Sequence, residues 1–147
     1  MIDLKPVEIL LVEDNEDDII IIQEALAEAK LLNLITVVRD GEQALAYVHR
    51  QDGFEHAETP GLVLLDINMP KKNGFEVLQE IKADPALRHI PIVMMTVSQR
   101  DEDVAESFAK GACSYIRKPV DFESLKQVIR SFEIYWTMVS RIPERRG

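Results

Sequence analysis

Asp66 ends the apolar run Leu62-Val63-Leu64-Leu65 and is followed at once by Ile67-Asn68-Met69-Pro70-Lys71-Lys72-Asn73-Gly74. A carboxylate that closes an apolar strand and opens a Pro/Gly loop stands where α/β proteins place reacting groups, at the carboxyl edge of the sheet. Three further strand-like runs also end in polar residues: Glu13-Asp14, Thr96 and Lys118-Pro119. If those strands are neighbours, their ends bring carboxylates, a hydroxyl and an ammonium to one pocket. Carboxylates held close together repel one another. A hard divalent cation relieves that repulsion, and oxygen ligands at loose spacing suit magnesium, or manganese in its place. The cation, Lys118 and Thr96 would then make a preorganised cradle for a phosphoryl group on Asp66. Lys118 acts there as a compact point charge.

Alternating strands and helices must position these groups. Val7 to Val12 is short, apolar and bounded by Pro6 and acids, the pattern of a buried strand. Asn15 is placed to cap a helix running to about Lys30, with Asp17 and Asp18 in its first turn, where the helix dipole favours anions. Leu34 to Val38 is a short β-branched run, and Asp40 then caps a second helix with Gln43 at the capping-box position. That helix turns Ala44, Leu45 and Val48 inward and ends near Gln51. Residues 52–61 form a polar loop with Pro60, longer than the usual connection.

Leu62 to Leu65 is the third strand, and Asn73 caps a helix whose Phe75, Leu78 and Ile81 share one face. Pro91 to Met95 is the fourth strand. Ser98 caps the next helix, which is expected to bury Val104, Phe108 and Ala109 and to stop at Gly111. Ala112 to Arg117 is the fifth strand, and Asp121 caps a long last helix. Strands and helices in strict alternation imply a parallel sheet covered on both faces by right-handed crossovers.

The 147 residues are expected to form one domain. A net charge of −9 disfavours sequence-independent contact with nucleic acid or an anionic membrane, since both want a basic surface. No apolar run approaches the roughly 18 residues of a membrane span, and no signal-peptide pattern opens the chain. The single cysteine, Cys113, cannot make an internal disulfide and reads as a small buried hydrophobe, in keeping with a cytoplasmic location. Lys71 and Lys72 read as solvated loop charges. His49, His56 and His89 have no partner at ligand spacing, so neither a zinc site nor a phosphorelay histidine is supported.

The runs LLVEDNEDD and LVLLDINMPKKNG, with Met95-Thr96 and Arg117-Lys118-Pro119, resemble the receiver domain of two-component response regulators over about residues 6 to 132. The resemblance implies a flavodoxin-like α/β fold with a five-stranded parallel sheet in the order 2-1-3-4-5. It implies that Asp66 accepts a phosphoryl group from a phosphohistidine on a sensor histidine kinase. Glu13, Asp14, Asp66 and the backbone carbonyl of Asn68 would hold magnesium. Thr96 and Lys118 would bind the phosphoryl oxygens, and Tyr115 would turn inward as a switch with Thr96. The bond before Pro119 is expected to be cis. Asn68 and Ser98 occupy the positions that tune loss of the phosphoryl group. Val97, where the family usually has a small residue, is expected to narrow access, and Val120 replaces a common aromatic. Such a protein is not an enzyme acting on outside substrates.

In the last helix Phe122, Leu125, Ile129, Phe132 and Trp136 make an inward stripe, and Val128, Tyr135, Met138 and Ile142 make a second one. The sheet can cover only one stripe, so the second predicts a homodimer built on this helix and its extension over 133–147. The long loop before the third strand, the Lys118-Pro119-Val120 ending and Ile134-Tyr135-Trp136 resemble the single-domain regulators paired with phytochrome kinases. Two other classes fit less well. A flavin mononucleotide carrier needs a hydroxyl- and Gly-rich loop after the first strand, where this chain has acids. An aspartate-nucleophile phosphatase places its nucleophile after the first strand and a second acid two residues on, where position 68 is asparagine.

Overall fold

A computed structural model describes residues 8–28, 35–69, 71–96, 101–118, 120, 121, 123–128 and 130. The apolar tetrapeptide Ile9–Val12 forms β1, and the acid-led segment Glu16–Glu28 forms α1. They are followed by β2 (Ile35–Val38), α2 (Gly41–Val48), β3 (Leu62–Asp66), α3 (Gly74–Ala83), β4 (Ile92–Thr96), α4 (Asp101–Ala109) and β5 (Ser114–Arg117). Further helical turns occupy residues 123–128. All strand pairs are parallel and the sheet order is β2-β1-β3-β4-β5, as the resemblance implied. Among the described residues, no helix is long and apolar enough to cross a membrane.

Strand alternation divides the core into two layers. Leu10, Val12, Val63, Leu65, Ile92 and Met94 pack with Ala44, Tyr47 and Val48 of α2 and Val77, Leu78 and Ile81 of α3. Ile9, Leu11, Leu62, Leu64, Val93 and Met95 pack with Ile19, Ile22 and Leu26 of α1 and with Leu125. Both faces of every central strand are covered, so the strands read as continuous apolar runs rather than alternating ones.

The caps expected at Asn15, Asp40, Asn73 and Asp121 form. The Asp18 N–H donates to Asn15 Oδ1 at 3.0 Å, the Gln43 N–H to Asp40 Oδ1 at 2.8 Å and the Glu76 N–H to Asn73 Oδ1 at 3.0 Å. Asp121 likewise accepts from the Ser124 N–H at 2.7 Å. Gln43 Oε1 reaches back one residue further than a capping box does, to the Arg39 N–H at 2.8 Å. α2 stops at Val48, three residues before its expected end, because Arg50 and Asp52 turn to positive φ. The long loop that follows is tied back to the core by Phe54, whose ring meets Tyr47 edge-on at 5.3 Å.

Two other expectations need correction. Phe108 is 50% exposed and Ala109 is exposed, whereas Ser107 is fully buried. The inward face of α4 centres on Ser107, with the half-buried Val104 and Lys110 three residues to either side. At about 100° per residue, Phe108 falls on the flank. Cys113 is exposed rather than buried: it precedes β5, the edge strand, where half of the packing is missing. Its thiol donates to the Ile92 carbonyl at 3.4 Å. Lys71 is exposed, as expected of a solvated loop charge, and the half-buried Lys72 pairs with Glu80 at 3.0 Å on the surface.

Gly74 sets the distance between α3 and the end of β3. Its N–H donates to the Ile67 carbonyl at 2.8 Å, and a Cβ there would lie 2.4 Å from the Asp66 carbonyl oxygen and 2.8 Å from Ile67 Cα. The obstruction is backbone, so no side chain can swing aside. Gly74→Ala should therefore lower unfolding stability by about 1–3 kcal/mol in urea denaturation, the range for overpacking a tight site. Gly53→Ala, at positive φ with nothing within 4 Å, isolates the backbone effect alone. A loss at Gly74 no larger than that at Gly53 would show that the helix shifts freely.

Candidate functional site

The strand register decides how the polar groups meet. Val12 aligns with Val38 and Leu65, which puts Glu13 level with Asp66. Asp66 aligns with Met95, and Thr96 with Arg117, so Thr96 stands one residue beyond Asp66 and Lys118 two beyond. The ladder continues through these ends: the Glu13 N–H donates to the Val38 carbonyl at 3.0 Å, Ile67 N–H to Met95 at 3.0 Å and Lys118 N–H to Thr96 at 2.7 Å. With strands about 4.8 Å apart, a group on β5 must cross two strand spacings to meet Asp66 on β3. Only a long side chain can do so, and the cation is a lysine.

The ammonium of Lys118 pairs with Glu13 Oε1, with Asp18 Oδ2 at 3.0 Å and with Asp66 Oδ1 at 3.4 Å. Glu13, Asp66, Thr96 and Lys118 are all buried, whereas Asp14 and Asn68 are exposed at the mouth. Glu13 Oε2 accepts the N–H groups of Asp14 and Asn15 at 3.1 and 3.2 Å, which turns the chain from β1 into α1. Asp66 Oδ1 accepts the Asn68 N–H at 3.3 Å.

Burial pushes the Asp66 carboxyl up to about 7, and the contact and charge of Glu13 act in the same direction. The Lys118 charge and the Asn68 N–H oppose the rise but do not cancel it. Burial works against the Lys118 ammonium, yet its contacts with Glu13 and Asp18 and the charges of Asp66 and Glu13 outweigh burial and hold it protonated above the ordinary lysine value.

One oxygen each of Glu13, Asp14 and Asp66 lies within 4.8 Å of the others. The donors are all carboxylate oxygens, without imidazole or thiolate, and one ligand opens to solvent. That donor set fits a hard divalent cation such as magnesium or manganese, which keeps several waters.

The expected residues are thus largely brought together: Glu13, Asp14, Asp66 and Lys118 form the cluster, and Thr96 stands beside it on β4. Tyr115 is half-buried against the α2–α3 layer. Val120 is buried in the opposite layer. Val128, assigned to the partner-facing stripe, packs partly against that same inner layer, so it is shared with the domain's own core. Val97, Ser98, Pro119, Tyr135, Met138 and Ile142 lie outside the described residues. His49, His56 and His89 are exposed.

Sequence pattern gives Asp18 only the role of an anion favouring the helix dipole; the structure adds its contact with Lys118. The available signal was its place as the last acid of the run Glu13 to Asp18, just inside a helix capped by Asn15.

A 2-1-3-4-5 parallel sheet, with acids after β1, an acid ending β3, a hydroxyl ending β4 and a lysine after β5, defines the receiver class of flavodoxin-like domains. The chain belongs to the response regulator receiver domain family, whose pattern matches residues 9–130. It is 36% identical over 138 residues to the response regulator Rcp1 of Synechocystis sp., covering 94% of either chain. The structure of the phosphorylated cyanobacterial phytochrome response regulator RcpA superposes with a TM-score of 0.78 at 39% identity, over 95% of this chain and 100% of that one. The Mn(2+)-bound form of Rcp1 gives a TM-score of 0.76 at 37% identity, over 89% and 94% of the two chains.

The charge arrangement has a consequence for pH. A carboxyl whose folded value lies near 7 against an ordinary 3.8 favours folding while protonated, and that contribution is lost as pH rises through about 7. In chelator, without metal, Asp66→Asn should therefore gain thermal stability over wild type on going from about pH 5.5 to about pH 8.5. The gap in melting temperature should widen by at least about 3 °C. A gap that stays constant would mean Asp66 is not strained by its neighbours.

Proposed function

We propose that this protein is a response regulator that holds its signal as an acyl phosphate on Asp66. The supporting observation is the position of Asp66: buried at the sheet's carboxyl edge, facing the Lys118 ammonium and two further acids. An Asp66 Oδ atom forms a bond to phosphorus while the bond from phosphorus to the imidazole nitrogen of a kinase phosphohistidine breaks, its electron pair staying on that nitrogen. Asp66 must be ionised to attack. Bound at Glu13, Asp14, Asp66 and the Asn68 carbonyl, magnesium or manganese would neutralise the acids and the charge developing on the phosphoryl oxygens. Lys118 supplies a second positive charge from the β5 side, and Thr96 a hydroxyl from β4. Tyr115, behind Thr96 on β5, is the group through which the change would reach the surface.

The relatives with phytochrome response regulator in their names support a phytochrome-type histidine kinase as partner, and membership of the receiver family supports a cytoplasmic location. Incubation with a small phosphodonor and magnesium should add one phosphoryl mass to the intact protein and none to Asp66→Asn. A purified phytochrome-type kinase should label wild type faster than an unrelated histidine kinase does. Equal uptake by wild type and Asp66→Asn would remove Asp66 from this role.

The same reading includes a homodimer on the last helix, supported by the apolar residues Tyr135, Met138 and Ile142 of the stripe, Val128 being shared with the domain's own core. Charges placed in the stripe by Tyr135→Glu with Met138→Glu should give a monomer in sedimentation equilibrium. An unchanged dimer would move the interface elsewhere.

A further inference from the structure

Lys118 has three N–H donors and faces three carboxylates, so a phosphoryl oxygen can be added only if one present partner is given up. Which partner leaves is decided by the cost of stranding its charge. Glu13 is fully buried, with a side-chain exposure of 0%, so water cannot take the ammonium's place there, and its Oε2 is already committed to the Asp14 and Asn15 N–H groups. Asp66 is 5% exposed and would itself carry the new group. Asp18, at 18%, is the one water can reach and resolvate. It also sits on a separate element, the first turn of α1, where its N–H is already held by Asn15.

We propose that Asp18 is a positioning residue that holds the Lys118 ammonium on the α1 side of the site and is exchanged for the phosphoryl oxygen when Asp66 is modified. This inference rests on the phosphoacceptor reading of Asp66 and deepens it. Asp18 restrains the resting state: while its bond to Lys118 lasts, part of the ammonium's donor capacity is committed to the α1 side and is not free for a phosphoryl oxygen on Asp66. Breaking that pair on phosphorylation frees the first turn of α1, so the state of Asp66 becomes legible on a helix it does not touch directly.

The probe is the beryllium trifluoride anion with magnesium, a tetrahedral phosphoryl mimic that binds a carboxylate oxygen without any transfer step. Asp18→Asn keeps the shape and the capped turn but removes the competing charge. It should bind the mimic about three- to tenfold more tightly than wild type by calorimetry, the scale of one partly exposed ion pair. Asp18→Glu, which keeps the charge, should return the affinity toward wild type. Asp17→Asn removes the same charge from the exposed neighbouring position and should change affinity by less than half as much. A purely structural role for Asp18 would move thermal stability without this charge-specific pattern in affinity.

Unchanged or weaker binding by Asp18→Asn overturns the inference, and so does an equal gain in Asp17→Asn, which would reduce the effect to net charge. In those outcomes wild type still binds the mimic and takes up a phosphoryl group, so the phosphoacceptor reading stands. If wild type does neither, that reading fails and the exchange falls with it.

Discussion

The Lys118 ammonium, held among Glu13, Asp18 and Asp66, is the interaction on which the rest of this structure depends. Two acids are buried at the end of a parallel sheet, and isolated buried charges would be strongly destabilising. A single cation does not neutralise them. Asp66 is accordingly pushed up to about 7, and the site is left with unmet negative charge. That surplus is of the sign a divalent cation would offset. A lysine is needed at the end of β5 because the strand order leaves the cation two spacings from Asp66, and only a long side chain spans them.

Packing below the edge keeps that geometry in place. Each central strand is covered on both sides, by α2 and α3 on one face and by α1 and the last helical turns on the other. A shift of one residue in any strand would carry a whole set of side chains to the opposite layer. The register is therefore held by the core, and with it the heights of Glu13, Asp66, Thr96 and Lys118. Gly74 and Gly41 complete the scaffold by allowing backbone to approach backbone. At Gly41 a Cβ would come within 2.3 Å of the Lys72 carbonyl oxygen, so the loop that follows Asp66 is seated directly on the start of α2.

Much of this was legible in local pattern. Short apolar runs bounded by acids and glycines identified the strands, because a strand buried on both faces has no polar alternation to confuse the reading. Asp40, Asn73 and Asp121 were identifiable as caps because an Asn or Asp before a helix satisfies free N–H groups whatever the remainder of the chain does. Phe108 and Cys113 were misplaced for the opposite reason. Whether a residue on a helix flank or before an edge strand is covered depends on what lies across from it, and no local period records that. Asp18 was missed on the same ground, since its partner is a hundred residues away.

The sequence by itself determined the elements, their alternation and the chemical type of each strand-ending residue. These follow from local steric preference, hydrophobic period and capping, which operate over a few neighbouring residues. Only the tertiary structure decided that Lys118 would engage Asp18 as well as Glu13 and Asp66, that Glu13 would be buried while Asp14 stayed exposed, and that Asp66 would be driven toward neutrality. Those outcomes depend on strand register, on burial and on electrostatic distances between residues remote in the chain, and such distances exist only once the sheet has formed.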